Sequence, residues 1–248
     1  MEKEYHYKHS FLVGYGEVDE NNRMKLSALL NFLQDMATMH SKIVGYNSER
    51  CKELGIAWLL LSWHIKMYSY PKADTTIEVK TWSRKIKGAH AFRSFEVTDE
   101  EGNLIAHADS MWALVNIHTG RPMRPFDDMV ELYGEIDRKL FEDERVKIDA
   151  PDNFDNKIEL KVQRRDIDTN KHCNNTKYIE YALESVPDEL YNEKVVSELE
   201  IIYKKSVFYN ENIAVTCAKV SDNEYINTIQ KEDNEIATLI KTKWSQID

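Results

Sequence analysis

Cysteine is scarce in this chain. Cys51, Cys173 and Cys217 are its three, and no pair stands in CxxC spacing. That argues against a disulfide framework and against a structural zinc site, and it fits reduced thiols in a reducing compartment. Long apolar runs are missing as well. Nothing reaches the ~18 residues that a membrane span needs, and Ile56-Ala57-Trp58-Leu59-Leu60-Leu61 is short enough to read as a buried strand. The first residues, Met1-Glu2-Lys3-Glu4-Tyr5-His6, are charged and lack the apolar core of a secretion signal. These absences together predict a cytoplasmic protein. Proline (5) and glycine (8) are few and no low-complexity tract occurs, so no segment reads as disordered. Positive charge is in deficit too, with 33 Lys and Arg against 43 Asp and Glu and a net charge of −10. Nucleic acid is therefore not the expected main partner, because phosphate binding needs a basic face. Local basic patches stay open.

What is present is a globular composition, 42% hydrophobic and 31% charged over 248 residues. That is enough for one large or two small cores. Phe11 to Val18 reads as a strand entering a loop at Asp19-Glu20-Asn21-Asn22. A helix follows from about Lys25 to Val44, with Leu26, Leu29, Leu30, Leu33, Ala37, His40 and Val44 on one stripe and Gly45 as its stop. His40 reads as a packed residue of that helix. Strands are predicted over Trp58 to Tyr68, Thr75 to Trp82, His90 to Val97 and Leu104 to Asn116, with a hairpin loop at Asp99 to Asn103. After a charge-rich stretch the order restarts. A strand at Ile158 to Val162 leads into a polar loop and a second helix, and strands follow near Ser197 to Tyr209, Asn212 to Val220, Glu224 to Lys231 and Glu235 to Trp244. The expected class is α+β. The domains expected are 1–130, a connector at 131–156, and 157–248.

The two halves overlay without gaps around their loops. Val13 meets Val162, Val18 meets Ile167, Asp19 meets Asp168 and Asn21 meets Asn170, each 149 residues apart. Ile77-Glu78-Val79 likewise resembles Ile213-Ala214-Val215, and Asn103 to Ala106 resembles Asn234 to Ala237. A repeat of this length is a duplicated domain. Arg23 falls opposite His172, so only the second loop carries a histidine, and the second unit is expected to hold the chemistry. The first is expected to supply the substrate cavity and a pairing surface.

In that second loop Asp168, Asn170 and His172 alternate with Thr169 and Lys171 just before the helix pattern of Ile179, Ala182, Leu183 and Val186. A general base, an orienting amide and an imidazole beside the free N–H groups of a helix start can hydrolyse an acyl group. The competing reading is plain capping of the helix. Cys173 is a poor nucleophile candidate, since adjacent helix positions do not face each other. His6, His9, His64, His90, His107 and His118 are scattered and read as structural or exposed.

The run Asp166-Ile167-Asp168-Thr169-Asn170-Lys171-His172-Cys173-Asn174-Asn175-Thr176-Lys177-Tyr178-Ile179, with Leu183 to Pro187 behind it, resembles the signature of acyl-acyl carrier protein (acyl-ACP) thioesterases. So do Met111 to Pro122 and Gly55 to Trp58. The resemblance implies two tandem hotdog domains, each a helix wrapped by a curved antiparallel sheet. It implies hydrolysis of fatty acyl-ACP, with Asp168, Asn170 and His172 catalytic and no cofactor or metal. Acyl-coenzyme A hydrolysis and a non-hydrolytic acyl-binding module are the alternatives. The family's strand carboxylate falls on Ser206, expected at most to position water, and the cysteine of plant members on Val207. Glu200 is a second candidate acid on that strand. Whether Asp168 or His172 is the base stays open. The expected partner is an acidic acyl carrier protein, so Arg84, Lys85 and Lys87, or Arg121 and Arg124, or Arg164 and Arg165 are candidate docking groups. A monomer or homodimer is expected.

Overall fold

A computed structural model describes residues 5–143 and 145–246. The chain divides into two units, Met1–Leu61 with Met67–Arg145, and Ser62–Lys66 with Val146–Asp248.

In the first unit β1 (His6–Leu12) leads to α1 (Leu26–Ile43), the short α2 (Ser48–Glu53), then β2 (Ile56–Met67), β3 (Thr76–Lys87), β4 (His90–Asp99), β5 (Leu104–Asn116) and α3 (Asp127–Tyr133). The strand order is β1-β3-β4-β5-β2. The predicted stripe makes α1: Leu29, Leu30, Leu33 and Met36 are fully buried and the helix packs on β1 and β3. It stops where Gly45 takes the left-handed φ of 88°. One local expectation fails here. The chain after β1 is not strand but a 3-10 turn at Tyr15–Glu17, because the Glu17 carboxylate accepts the Gly14 N–H and pulls the backbone round. The stretch near Cys51 is helical, because Asn47 Oδ1 caps it through Arg50 N at 2.8 Å.

In the second unit β6 (Asn156–Lys161) precedes α4 (Lys177–Leu183), α5 (Asp188–Glu193), β7 (Lys194–Tyr203), β8 (Asn212–Lys219), β9 (Glu224–Lys231) and β10 (Ile236–Gln246). The order is β7-β10-β9-β8-β6, and Ser62–Lys66 of β2 pair antiparallel with β7. α4 has seven residues against eighteen in α1. It buries Tyr178, Ile179 and Ala182 against β8, β9 and β10. β7 ends at Tyr203, six residues before the predicted Tyr209. Lys204 and Lys205 both give their N–H to Ala237 O, and the chain then leaves the ladder.

The duplication is geometric as well as sequential. The 3-10 turn Tyr15–Glu17 recurs as Arg164–Asp166, and the bridge Val18–Met24 as Ile167–Cys173, all 149 residues on. Met24 N to Pro71 O and Cys173 N to Val207 O are both 2.8 Å. This places Tyr70 in the position of Ser206. One pairing shifts by a residue. Gly102 (φ 85°) corresponds to Asn234 (φ 63°), since Asp99 and Lys231 open matching turns. So Ile105 stands opposite Ala237, whose carbonyls receive Tyr68 and Lys204 N–H alike, rather than opposite Ile236. A left-handed turn residue, not residue identity, fixes that register.

Candidate active site

The loop that carries Asp168, Asn170 and His172 is built by its own aspartate. Asp168 Oδ1 accepts the N–H of Asn170 at 2.8 Å and of His172 at 3.1 Å, while Asp168 N donates to His172 O at 2.8 Å. Among the described residues, Asp168 Oδ2 accepts only from Asn170 Nδ2, at 3.4 Å. The tight turn puts Lys171 at φ 67°, where the first unit has Asn22 at 57°. Asparagine tolerates that region and lysine does so less readily. The structure thus brings Asp168 and Asn170 into contact and sets His172 four residues on, half-buried like Asp168, with Asn170 exposed.

His172 is braced rather than hydrogen-bonded. Its backbone bridges to Phe208, and its ring meets the Phe208 ring edge-on, 5.0 Å between centroids at 81°. Among the described residues no protein group bonds its ring nitrogens. The first unit shows the opposite arrangement. Asp19 Oδ1 holds Asn21 N and Arg23 N at 2.9 Å each, as Asp168 does, but Arg23 Nε then closes on Asp19 Oδ2 at 3.2 Å. Arginine occupies the histidine position and ties up the carboxylate, so one loop is closed and the other is open for water.

The segment with Ser206 runs beside this loop, since Val207 O accepts Cys173 N. Glu200 lies elsewhere. Leu199, Ile201 and Tyr203 alternate onto one face of β7, and Tyr203 Oη donates to Asn175 O at 3.0 Å on that side. Glu200 points to the other face, opposite Lys241. Ser206 is outside the strand, which ends at Tyr203, so Glu200 is not on the same element as Ser206. Two other expectations are corrected. The entry of α4 offers fewer free donors than its position promises, because Asn174 takes the Thr176 N–H on Oδ1 at 3.1 Å and the Lys177 N–H on its carbonyl at 2.9 Å. Arg84 is 1% exposed: a bulge between Ser83 and Lys85 turns it inward, toward the Phe92 ring and Asp109, which removes it as a docking group.

Several residues that the sequence did not single out hold the loop. Tyr178 Oη accepts Val207 N at 3.3 Å. Asp166 is buried; its carboxylate accepts Gln163 N at 2.8 Å and its carbonyl accepts Asn174 N at 2.7 Å. Its signal was in the repeat, where Glu17 does the same for Gly14. The tyrosines left no comparable signal. Cys173 is buried beneath them, its Sγ 3.8 Å from Tyr181 Oη, and burial first of all pushes its thiol up to about 12. A thiol held protonated is no nucleophile. Cys173→Ala is therefore expected to keep kcat within about tenfold of the parent, the worth of a lost small contact. A drop to background with the fold intact would restore the cysteine as a candidate.

Comparison with known proteins gives the family. The acyl-ACP thioesterase N-terminal domain matches residues 4–133 and the acyl-ACP thioesterase C-terminal domain residues 150–246. The chain is 26% identical to oleoyl-acyl carrier protein thioesterase 2, chloroplastic, of Arabidopsis thaliana, over 92% of this chain and 67% of that one. It is 25% identical to the acyl-[acyl-carrier-protein] hydrolase FATB3, chloroplastic, of Cuphea viscosissima, over 96% and 62%. The chain thus spans about two thirds of the length of these plant relatives. An acyl-ACP thioesterase structure from Bacteroides thetaiotaomicron matches with a TM-score of 0.88 at 25% identity, covering 97% of this chain and 98% of that one. The 12:0-ACP thioesterase of Umbellularia californica matches in fold, with a TM-score of 0.86 at 19% identity over 99% of each chain. The two units are hotdog domains.

Proposed function

The chain belongs to the acyl-ACP thioesterase family, and from that premise we propose that it hydrolyses the thioester of fatty acyl-ACP to free fatty acid and carrier protein, ending chain synthesis. The observation that carries the reading is the asymmetry of the duplicated loop. Among the described residues, the second copy leaves Asp168 Oδ2 with the Asn170 amide alone and the His172 ring nitrogens without a protein partner, whereas in the first Arg23 Nε closes on the matching carboxylate.

The roles follow from what each group has left to offer. Asp168 spends Oδ1 on two backbone N–H groups, so it fixes the loop and keeps Oδ2 toward the site. The unbonded imidazole of His172 takes the proton of the attacking water, and the Asp168 charge stabilises the imidazolium that forms. Asn170 uses its amide to orient that water or to donate to the tetrahedral oxyanion. The leaving thiol has an ordinary pKa of about 8.5 and needs little help. Ser206 is assigned a water-positioning role. Its counterpart Tyr70 feels both Arg23 and Asp19, with burial foremost in pushing its phenol up, which supports a side chain directed at the loop. No helix among the described residues is long and apolar enough to cross a membrane, and a cytoplasmic site of action is part of the proposal. The plant relatives are chloroplastic.

Free thiol release from an acyl-ACP series and an acyl-coenzyme A series tests the reading. Turnover of neither would overturn it, and preference for coenzyme A esters would favour the neighbouring activity. Docking is assigned to exposed cations flanking the loop. Arg164 stacks over Tyr209 at 4.6 Å, and Arg165 and Lys171 are exposed in a chain that is otherwise acidic. Changing Arg164 and Arg165 to Glu is expected to raise KM for acyl-ACP roughly tenfold and to leave acyl-coenzyme A almost unchanged, because an acidic partner is then repelled. Equal effects on both substrates would remove these two arginines from docking.

A further inference from the structure

A side chain that takes a proton from water must hold one nitrogen in a fixed direction. The second torsion of a histidine is broad, and among the described residues no protein group bonds the His172 ring, so packing has to set it. The contact that does so is the Phe208 ring, 5.0 Å away at 81°, on a residue whose backbone bridges to His172. Phe208 is 42% exposed, so burial alone does not hold that ring in place. Its turn does. Glu211 N donates to Phe208 O at 3.2 Å, and Glu211 Oε2 accepts the Phe208 N–H at 3.0 Å. One residue thereby ties both ends of the turn, as in a capping box, and one of the two bonds is charge-assisted. The other carboxylate oxygen, Oε1, meets Lys231 Nζ at 3.3 Å. That ammonium lies 5.7 Å from the centre of the Phe208 ring, within cation–π range.

The first unit makes the same turn without this bracket. Asp74 (φ 64°) gives its N–H to Val13 O at 2.8 Å, and Val13 N returns to Thr75 O at 2.9 Å. In the second unit Asn210 (φ 71°) bonds Val162 O at 3.1 Å, and Val162 N bonds Glu211 O at 3.0 Å. Lys72 therefore stands where Phe208 does, and Thr75 where Glu211 does. Thr75 closes its turn with a hydroxyl bond to Lys72 O at 2.7 Å. Asp99, which pairs with Ile77 as Lys231 pairs with Ile213, takes the place of the lysine and spends its carboxylate on Asn103. No bridge joins Arg23 to Lys72 among the described residues. A turn of this shape thus needs neither an acid nor an aromatic ring. Ring, acid and lysine come together in the copy whose loop carries the histidine. Arg23, fixed by its own bond to Asp19, has no use for them.

We propose that Glu211, tethered by Lys231, is a positioning residue for the reaction: it holds Phe208 against His172 and so fixes the imidazole in the orientation that receives the proton of the attacking water. This rests on the thioesterase reading above and deepens it, by naming what aims the base of that same site. Phe208 acts on the imidazole, and Glu211 acts only through Phe208.

A double-mutant cycle on kcat for a saturated acyl-ACP tests this. Phe208→Ala is expected to lower kcat roughly tenfold or more, the cost of a misdirected reacting group, with KM almost unchanged. Glu211→Ala should lose kcat in the same way. Glu211→Gln, which keeps an oxygen for the Phe208 N–H, should stay within about threefold of the parent, less than the worth of one ordinary hydrogen bond. The double variant should be no worse than Phe208→Ala, because the two residues act in series. Phe208→Leu serves if Phe208→Ala does not fold. Losses that multiply in the double variant, or a lower melting temperature with kcat per folded molecule unchanged, would overturn the proposal. The ring-proton NMR signals of His172, identified by their absence in His172→Ala, give a second readout. They carry the ring current of Phe208, so Glu211→Ala should move them in the direction that Phe208→Ala does, and Glu211→Gln should restore them. Signals unmoved by Glu211→Ala would sink the bracket. If no ester is turned over at all, the thioesterase reading fails, and these signals still decide whether Glu211 holds Phe208 on the imidazole.

Discussion

Asp168→Asn is expected to lower kcat by about a hundredfold or more, the usual cost of losing a general base or its charged partner. The amide substitution is informative because it keeps an oxygen where Oδ1 now accepts the Asn170 and His172 N–H groups. The loop can therefore retain its turn while losing the charge. His172→Ala should show a loss of similar size, since it removes the one imidazole braced on Phe208. KM should change little in either variant, as both act on the reacting centre rather than on the acyl chain. Ser206→Ala sets the scale for a positioning group, with an expected loss under about tenfold, one ordinary hydrogen bond. Circular dichroism and a melting curve must show each variant folded. If Ser206→Ala abolishes turnover while Asp168→Asn retains it, the base is not in the loop. Asp168→Ala is a less clean test, because it removes the turn and the charge together.

Ile179→Ala is expected to destabilise the protein by about 2–5 kcal/mol, the range for a large aliphatic residue truncated in a packed core. Ile179 is fully buried on α4, a helix of only seven residues, too short to be stable through its own hydrogen bonds. Its stability comes from the face it buries on β8, β9 and β10, and Tyr178 on the same helix holds Val207 beside the loop. Loss of packing should therefore reach the site. Urea denaturation should show a lower midpoint, and kcat should fall more steeply with temperature than in the parent. A midpoint unchanged within about 0.5 kcal/mol, the scatter of a surface substitution, would mean that the helix is not the support of the loop. Cys173 sits under the same helix and is buried as well, yet Cys173→Ala removes only one sulfur and should be mild.

The loop proposed to carry the chemistry was legible because it is local. Acid, amide and imidazole at alternate positions ahead of a helix stripe are written in consecutive residues, and Asp168 organises them with hydrogen bonds that span at most four residues. The α1 stripe, the strand alternation and the duplicated order are of the same kind, since period and offset survive in sequence. The difference between the copies was also readable, as one letter: Arg23 against His172. Its meaning was not. Only coordinates show that Arg23 folds back on Asp19 Oδ2 while the histidine leaves Asp168 Oδ2 open.

What the tertiary structure decided depends on partners far apart in the chain or on one-residue irregularities. The bulge at Ser83 and Lys85 buries an arginine that its sequence neighbours make look exposed, because a strand with one extra residue swaps its faces. β7 ends early because Ala237 takes two successive N–H groups, and that exit carries Ser206 off the strand, while the alternation of Leu199 and Ile201 sets Glu200 on the opposite face. Arg93 is buried through partners that lie far apart in the chain, from α1, β3 and α3, so its burial and its neutral histidine partner exist only once those elements close around it. Local spacing thus determined where the candidate reactive groups sit in the chain, whereas long-range packing determined which of them are sealed, which are open, and which charge lies inside the core.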